Sequence, residues 1–137
     1  MNLFRVIYYS ERNSAAALDL RQMLATCHKN NARDGLTGFL HFNGFYFLQA
    51  LEGGRARVSS CYHRIAADNR HTNIVLISAE DVTTRMFPSW SMGLHEGMDN
   101  RAQEIFLRYF ATSKVDPETI NSHSLLDALQ DIATELK

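Results

Sequence analysis

Asn43-Gly44 separates two short apolar runs, Leu36–Phe42 and Phe45–Leu51. The dipeptide tolerates the positive φ angles of a tight two-residue turn, so the runs are predicted to fold back on each other as an antiparallel hairpin. A chain with a hairpin near its middle must build a sheet around it, and the flanking patterns say with what. Leu3 to Tyr9 is rich in β-branched and aromatic residues, and its alternation sets Phe4, Val6 and Tyr8 on one face of a first strand. A polar loop from Ser10 to Ser14 follows, with Asn13 or Ser14 as the expected helix cap. Leu20, Met23, Leu24 and Cys27 then recur at i, i+3, i+4 and i+7, which predicts an amphipathic helix ending near Asn31 to Gly35. Gly53-Gly54 closes the hairpin. Val58, Cys61, Tyr62, Ile65 and Ala66 mark a second helix through about Asp68. Asn73–Ser78 reads as a fourth strand, and Trp90–Leu94, after Pro88, as a short fifth.

The order strand, helix, hairpin, helix, strand predicts an α+β sandwich of the ferredoxin-like kind. It has a four to five-stranded sheet, two helices on one face, and strands one and three adjacent in the middle. Farther on, Ile105, Phe106, Tyr109 and Phe110 form one helical stripe and Leu125, Leu129, Ile132 and Leu136 another. They predict two C-terminal helices joined through Ser113 to Pro117. The chain therefore divides into a domain over 1–96 and a helical extension over 97–137, whose stripes are expected at the surface and favour self-association or docking of a partner.

With 137 residues, 45% apolar and 21% charged, the chain has the length and composition of one globular unit. Its formal net charge of −1 supplies no electrostatic drive toward nucleic acid or an anionic membrane. Apolar runs fall far short of the roughly 20 residues that span a bilayer, and Met1 to Arg5 lacks a secretory pattern. A cytoplasmic protein is expected. Cys27 and Cys61 sit on apolar stripes, where reduced thiols behave as small hydrophobes, and the histidines lack the paired spacing of a zinc site, so no metal is expected.

Some polar residues break the apolar pattern. Continuing the first helix stripe beyond Cys27 lands on Asn30 and Asn31, either turn formers near a helix end or amides aimed inward. On the third strand Phe45, Phe47, Gln49 and Leu51 share a face, so Gln49 sets a two-way hydrogen-bonding group among aromatics. Tyr8 on the neighbouring strand needs a partner for its hydroxyl if covered. A structural Tyr–Gln bond would satisfy both. On the second helix, Arg64 and Asp68 are spaced as a surface ion pair, with His71 three residues beyond. Together these groups ring a space suited to a planar heterocycle with several acceptors.

At these residues the chain resembles the BLUF family of flavin-binding blue-light receptors. The resemblance runs in order through Arg5-Val6-Ile7-Tyr8, Asn30 to Gly38, Phe47 to Gly53, Tyr62-His63-Arg64-Ile65, Asp68-Asn69-Arg70-His71 and Trp90-Ser91-Met92. It implies a non-covalent flavin, FAD as a rule with FMN or riboflavin as variants, between the two helices. Asn31 would hold the ring carbonyl and N3 region with Asn30 nearby, and Arg64, Asp68, Arg70 and His71 would support the ring and its polar chain. Tyr8 and Gln49 would be the photochemical pair: an electron leaves Tyr8, a proton follows through Gln49, and Gln49 ends rotated or tautomerised. Trp90 and Met92 would carry the signal to the protein's own oligomer or to a signalling partner, and no substrate would be turned over. Two other classes compete with this reading: an acylphosphatase-like hydrolase on the same fold, and a light-insensitive assembly module.

Overall fold

In a computed structural model the described residues are 2–97 and 99–135. Nine elements follow in order: β1 Leu3–Arg12, α1 Leu20–Asp34, β2 Thr37–Phe42, β3 Tyr46–Gly54, α2 Arg55–Ala66, β4 His71–Val82, β5 Gly93–Glu96, α3 Asn100–Tyr109 and α4 Ser122–Glu135. The strands form one sheet in the order β4-β1-β3-β2-β5. All neighbours are antiparallel except β2 and β5. This is the expected ferredoxin-like α+β arrangement with β1 and β3 side by side, extended by a parallel fifth strand. β4 runs longer at both ends than Asn73–Ser78, and two register shifts interrupt its ladder with β1.

The hairpin turns one residue later than the dipeptide suggested. Asn43 N–H donates to the Tyr46 carbonyl at 3.3 Å, and the Asn43 side-chain oxygen accepts from the Phe45 and Tyr46 amides. Gly44, with φ of 98°, and Phe45 are therefore the central pair, and Phe45 lies 79% exposed at the tip instead of on the inward face. Moving the turn centre by one residue changes each cross-strand partner by two, so the alternation is preserved and Phe47, Gln49 and Leu51 still share a face.

The first helix starts at Leu20, capped by Asp19, whose carboxylate accepts from Gln22 N–H at 3.1 Å. The expected cap, Asn13, is used elsewhere: its oxygen accepts from Ala15 N–H and its amide donates to the Asn69 carbonyl. Ser10 lies inside β1, fully buried, and is no loop residue. Gly35, at φ of 70°, ends α1 in the left-handed region as a helix C-cap requires.

Both faces of the sheet are covered. Val6, Tyr8, Leu40, Phe47 and Leu51 pack with Val58 and Cys61 of α2 and with Met23, Leu24 and Cys27 of α1. Ile7, Tyr9, Phe39, Leu48 and Ala50, on the other face, pack with Ile105 and Phe106 of α3 and Leu125, Leu129 and Ile132 of α4. The stripes expected at the surface are thus buried against the sheet; Leu136 lies outside the described residues. The reason is in the strands themselves: Phe39–Phe42 and Phe47–Leu51 place apolar residues on both faces, broken only by His41 and Gln49, the pattern of strands covered on both sides. Arg108 then clamps α3 to α4 through Asp131 at 3.1 Å and Glu135 at 2.7 Å.

His41 and His95 face each other across β2 and β5 beneath α3. Their rings stack at 5.1 Å, with Nδ1 to Nδ1 at 2.9 Å, and His41 also meets the Phe106 ring. One proton serves that bond. His95 Nε2 points toward Asp99 at 3.9 Å, which favours a proton there, so His41 Nδ1 donates and its Nε2, which has no partner among the described residues, is a bare acceptor. Burial, then the neighbouring His95, drives His41 down to about 3, against about 6.5 in the unfolded chain. The unfolded chain binds the proton first, so stability falls as pH drops below about 6.5 and continues to fall toward pH 3. At pH 5 the loss from His41 is about 2 kcal/mol. His41→Phe is expected to shrink the difference in urea-unfolding free energy between pH 7 and pH 5 by roughly that amount; an undiminished difference would place the acid sensitivity elsewhere.

Candidate functional site

Between α1, α2 and the sheet lies a cleft partly open to solvent. Its floor is built by register. Tyr8 stands directly opposite Gln49 across β1 and β3, and the Tyr8 hydroxyl donates to Gln49 Oε1. The other end of the same amide, Nε2, donates to Met92 Sδ at 3.2 Å. One buried carboxamide therefore joins a phenol to a thioether. Met23, Thr26 and Cys27 of α1, Ile65 of α2, and Leu40 and Phe47 of the sheet complete the walls.

The far side of the cleft is polar. Asp68, Arg70 and His71 all line it. Asp68 accepts from the Arg70 backbone N–H at 2.9 Å and from its guanidinium, and that bond holds the Asp68 carboxyl below its ordinary range. His71 Nε2 donates to the Ile65 carbonyl at 2.5 Å, and Nδ1 meets the buried Ser10 hydroxyl at 2.7 Å. A carbonyl can only accept, so Nε2 carries a proton and the ring is fixed from both ends. Tyr8 is driven well above the ordinary phenol value, first by burial and then by Cys27, Cys61, Tyr62 and Asp68 nearby. It stays an O–H donor across the physiological range.

The residues expected at the site fall into three groups. Tyr8, Gln49, Asp68, Arg70 and His71 share the cleft. Asn31 is buried one layer away, its amide donating to the Ser91 carbonyl at 2.8 Å, so α1 holds the segment that carries Met92. Asn30 is half-buried beside it and, like Arg64, does not line the cleft. Arg64 reaches outward to Asp34 at 3.7 Å, so the Arg64–Asp68 surface pair is not formed. Met92 is buried on the cleft side of the sheet, whereas Trp90 packs on the other side with its ring 5.9 Å from Phe39. Both precede the fifth strand instead of lying in it. Sequence reasoning assigned Met23, Cys27, Ile65 and Phe47 to core or strand and did not see them as walls. Their signal, an apolar stripe, is the same for both uses. Gly38, beside Met92, is set by space: a Cβ there would meet the Ala50 carbonyl oxygen at 2.1 Å and Met92 Cε at 3.3 Å.

The family model of sensors of blue light using FAD, BLUF, matches residues 3–93. The chain belongs to the BLUF family. Those residues include every one that lines the cleft, and the BLUF family is one of blue-light sensors that use a flavin. The chain is 33% identical over 95 residues to the blue light- and temperature-regulated antirepressor BluF of Escherichia coli, covering 69% of this chain and 24% of that protein. It is 38% identical over 77 residues to a photoactivated adenylate cyclase subunit beta of Euglena gracilis, covering 55% of this chain and 9% of the other. The chain thus spans a quarter or less of these curated relatives. Among solved structures, the dark state of the BLUF protein BlrB matches with a TM-score of 0.82 at 29% identity over 98% of both chains. The photo-activated state of BlsA matches at 0.85 and 27%, covering 97% of this chain and 95% of that one. The likeness to both extends beyond the BLUF region into the tail helices. No described helix is long and apolar enough to cross a membrane.

Asn31→Ala removes the amide that Ser91 accepts from inside the protein, and is expected to cost about 1–3 kcal/mol of stability in urea unfolding. A loss below about 0.5 kcal/mol would mean that water takes over the bond.

Proposed function

We propose that this BLUF chain is a cytoplasmic blue-light receptor whose cleft holds the flavin ring and whose switch is the Gln49 amide. The observation that carries the proposal is the pair of bonds made by that amide, from Tyr8 at its oxygen and to Met92 at its nitrogen. The cleft suits a flavin. Its walls are mostly sulfur and hydrocarbon, and a few polar groups gather at the floor and far edge, the chemistry of a site for a largely apolar planar ligand.

Asp68, Arg70 and His71 would hold the polar side of the cofactor, with Asn31, Asn30 and Arg64 closing in from the helix ends. FAD is the flavin favoured, since the family is described by it, while FMN or riboflavin would present the same ring. When bound, the flavin supplies blue absorption and an excited state that accepts an electron. Tyr8 would be the residue placed to give that electron, its phenolic proton moving to Gln49 Oε1; with the return of both to Tyr8, Gln49 would be left rotated or tautomerised. Rotation sets an amide oxygen against Met92 Sδ, two acceptors face to face, so the 3.2 Å contact is lost. The change reaches Met92 on the cleft side and Trp90 beside α4. It would pass from there to a second copy of the chain or a protein partner.

Tyr8→Phe is expected to retain bound flavin at near wild-type occupancy while losing the reversible red shift of its absorption under blue light. An intact shift in that variant would remove Tyr8 from the mechanism. Mass analysis of the flavin released from the wild-type protein distinguishes FAD from FMN and riboflavin.

A further inference from the structure

We infer that Glu52 is a positioning residue for the light response, the fixed point about which the Trp90–Met92 segment moves. The inference rests on Gln49 being the switching group. Glu52 interrupts the apolar run of β3, and its side chain lies on the tail-helix side of the sheet with Leu48 and Ala50. It is fully buried, yet both of its carboxylate oxygens accept hydrogen bonds. Oε1 accepts from Phe87 N–H at 2.8 Å; Oε2 accepts from Met86 N–H at 2.8 Å and from Arg5 Nε at 2.8 Å. Arg5 is its direct partner in the β1–β3 register and is itself buried. Next door, the Arg85 guanidinium donates to Thr37 Oγ1 at 2.8 Å, to the Gly35 carbonyl at 2.9 Å and to the Glu52 carbonyl at 3.3 Å. The chain from Arg85 to Phe87 is therefore held by charged groups at each residue.

Three residues past Phe87, the restraints change in kind. The Trp90 carbonyl accepts from Gly38 N–H at 3.1 Å, the Ser91 carbonyl from Asn31, and Met92 sulfur from Gln49. These are neutral bonds, one of them to a weak sulfur acceptor, whereas charge-assisted bonds are roughly twice as strong. Loss of the Gln49–Met92 bond therefore loosens the segment from its far end. The disturbance stops at Phe87, and exposed Pro88 and Ser89 supply the slack. The Glu52 clamp converts a local loss at Met92 into a swing of Trp90 against α4, and keeps β4 from shifting.

Amide exchange of the full-length, flavin-loaded chain in darkness and under steady blue light tests this. Gly38 N–H is expected to exchange at least about fivefold faster in the light, with Met86 and Phe87 N–H unchanged. Equal acceleration at Met86 and Phe87 would overturn the inference while leaving the Tyr8–Gln49 photochemistry intact. Absence of any light-induced spectral change in the wild type would remove both. Glu52→Gln presents an N–H where an acceptor is needed. With Trp90 the sole tryptophan, acrylamide quenching reads its depth directly. In this variant the dark quenching constant is expected to rise to the lit value while the flavin red shift persists. A light–dark quenching difference equal to that of the wild type would overturn the assignment. Should the variant not fold, the wild-type exchange pattern decides.

Discussion

The antiparallel register of β1 on β3 is the constraint on which the rest of the molecule depends. It sets Tyr8 against Gln49 on one face and Arg5 against Glu52 on the other. A slip by one residue would carry both pairs to the wrong sides of the sheet. The first pair forms the floor of the cleft; the second, through Glu52, accepts from the backbone amides of Met86 and Phe87 in the connection that leads toward Met92. Both depend on polar atoms in surroundings that would penalise them if unpaired, so the register that buries the apolar residues is also the one that satisfies Gln49 and Glu52.

The division of labour between the two faces follows from that alternation. Successive residues of β3, Leu48, Gln49, Ala50, Leu51 and Glu52, address the two sides in turn. The segment after β4 touches both: Trp90 lies with the tail helices, Met92 with the cleft. A change in the amide at the cleft is thereby adjacent, through two residues of backbone, to a ring packed beside α4.

Much of this was legible in the chain. The hairpin, the two amphipathic helices and the order of elements follow from local turn chemistry and periodicity, and Tyr8 and Gln49 stood out because a phenol and an amide interrupt apolar faces. Tertiary choices were not legible. Asn13 has the chemistry of a cap, yet bonds to Asn69 leave Asp19 to start the helix. The stripes of α3 and α4 say that something covers them without saying what; the answer lay in the doubly apolar strands, whose second face also needed cover. Arg64 and Asp68 have the spacing of partners, but Asp34 and Arg70 are nearer competitors. Glu52 could have been suspected from a charge in an apolar run, although its backbone partners Met86 and Phe87 come from a segment with no periodic signal.

Among the described residues the sheet is covered on two faces, and its order ends at β4 on one side and β5 on the other. β5 is a strand of only four residues, whereas β4 offers twelve. A long open margin is a template for unwanted pairing with other chains. Here the two register shifts against β1, the positive φ of Asn73 and the acidic Glu80 and Asp81 bend and charge that margin. Irregularities that weaken one ladder also make that margin a poorer template for a neighbouring strand.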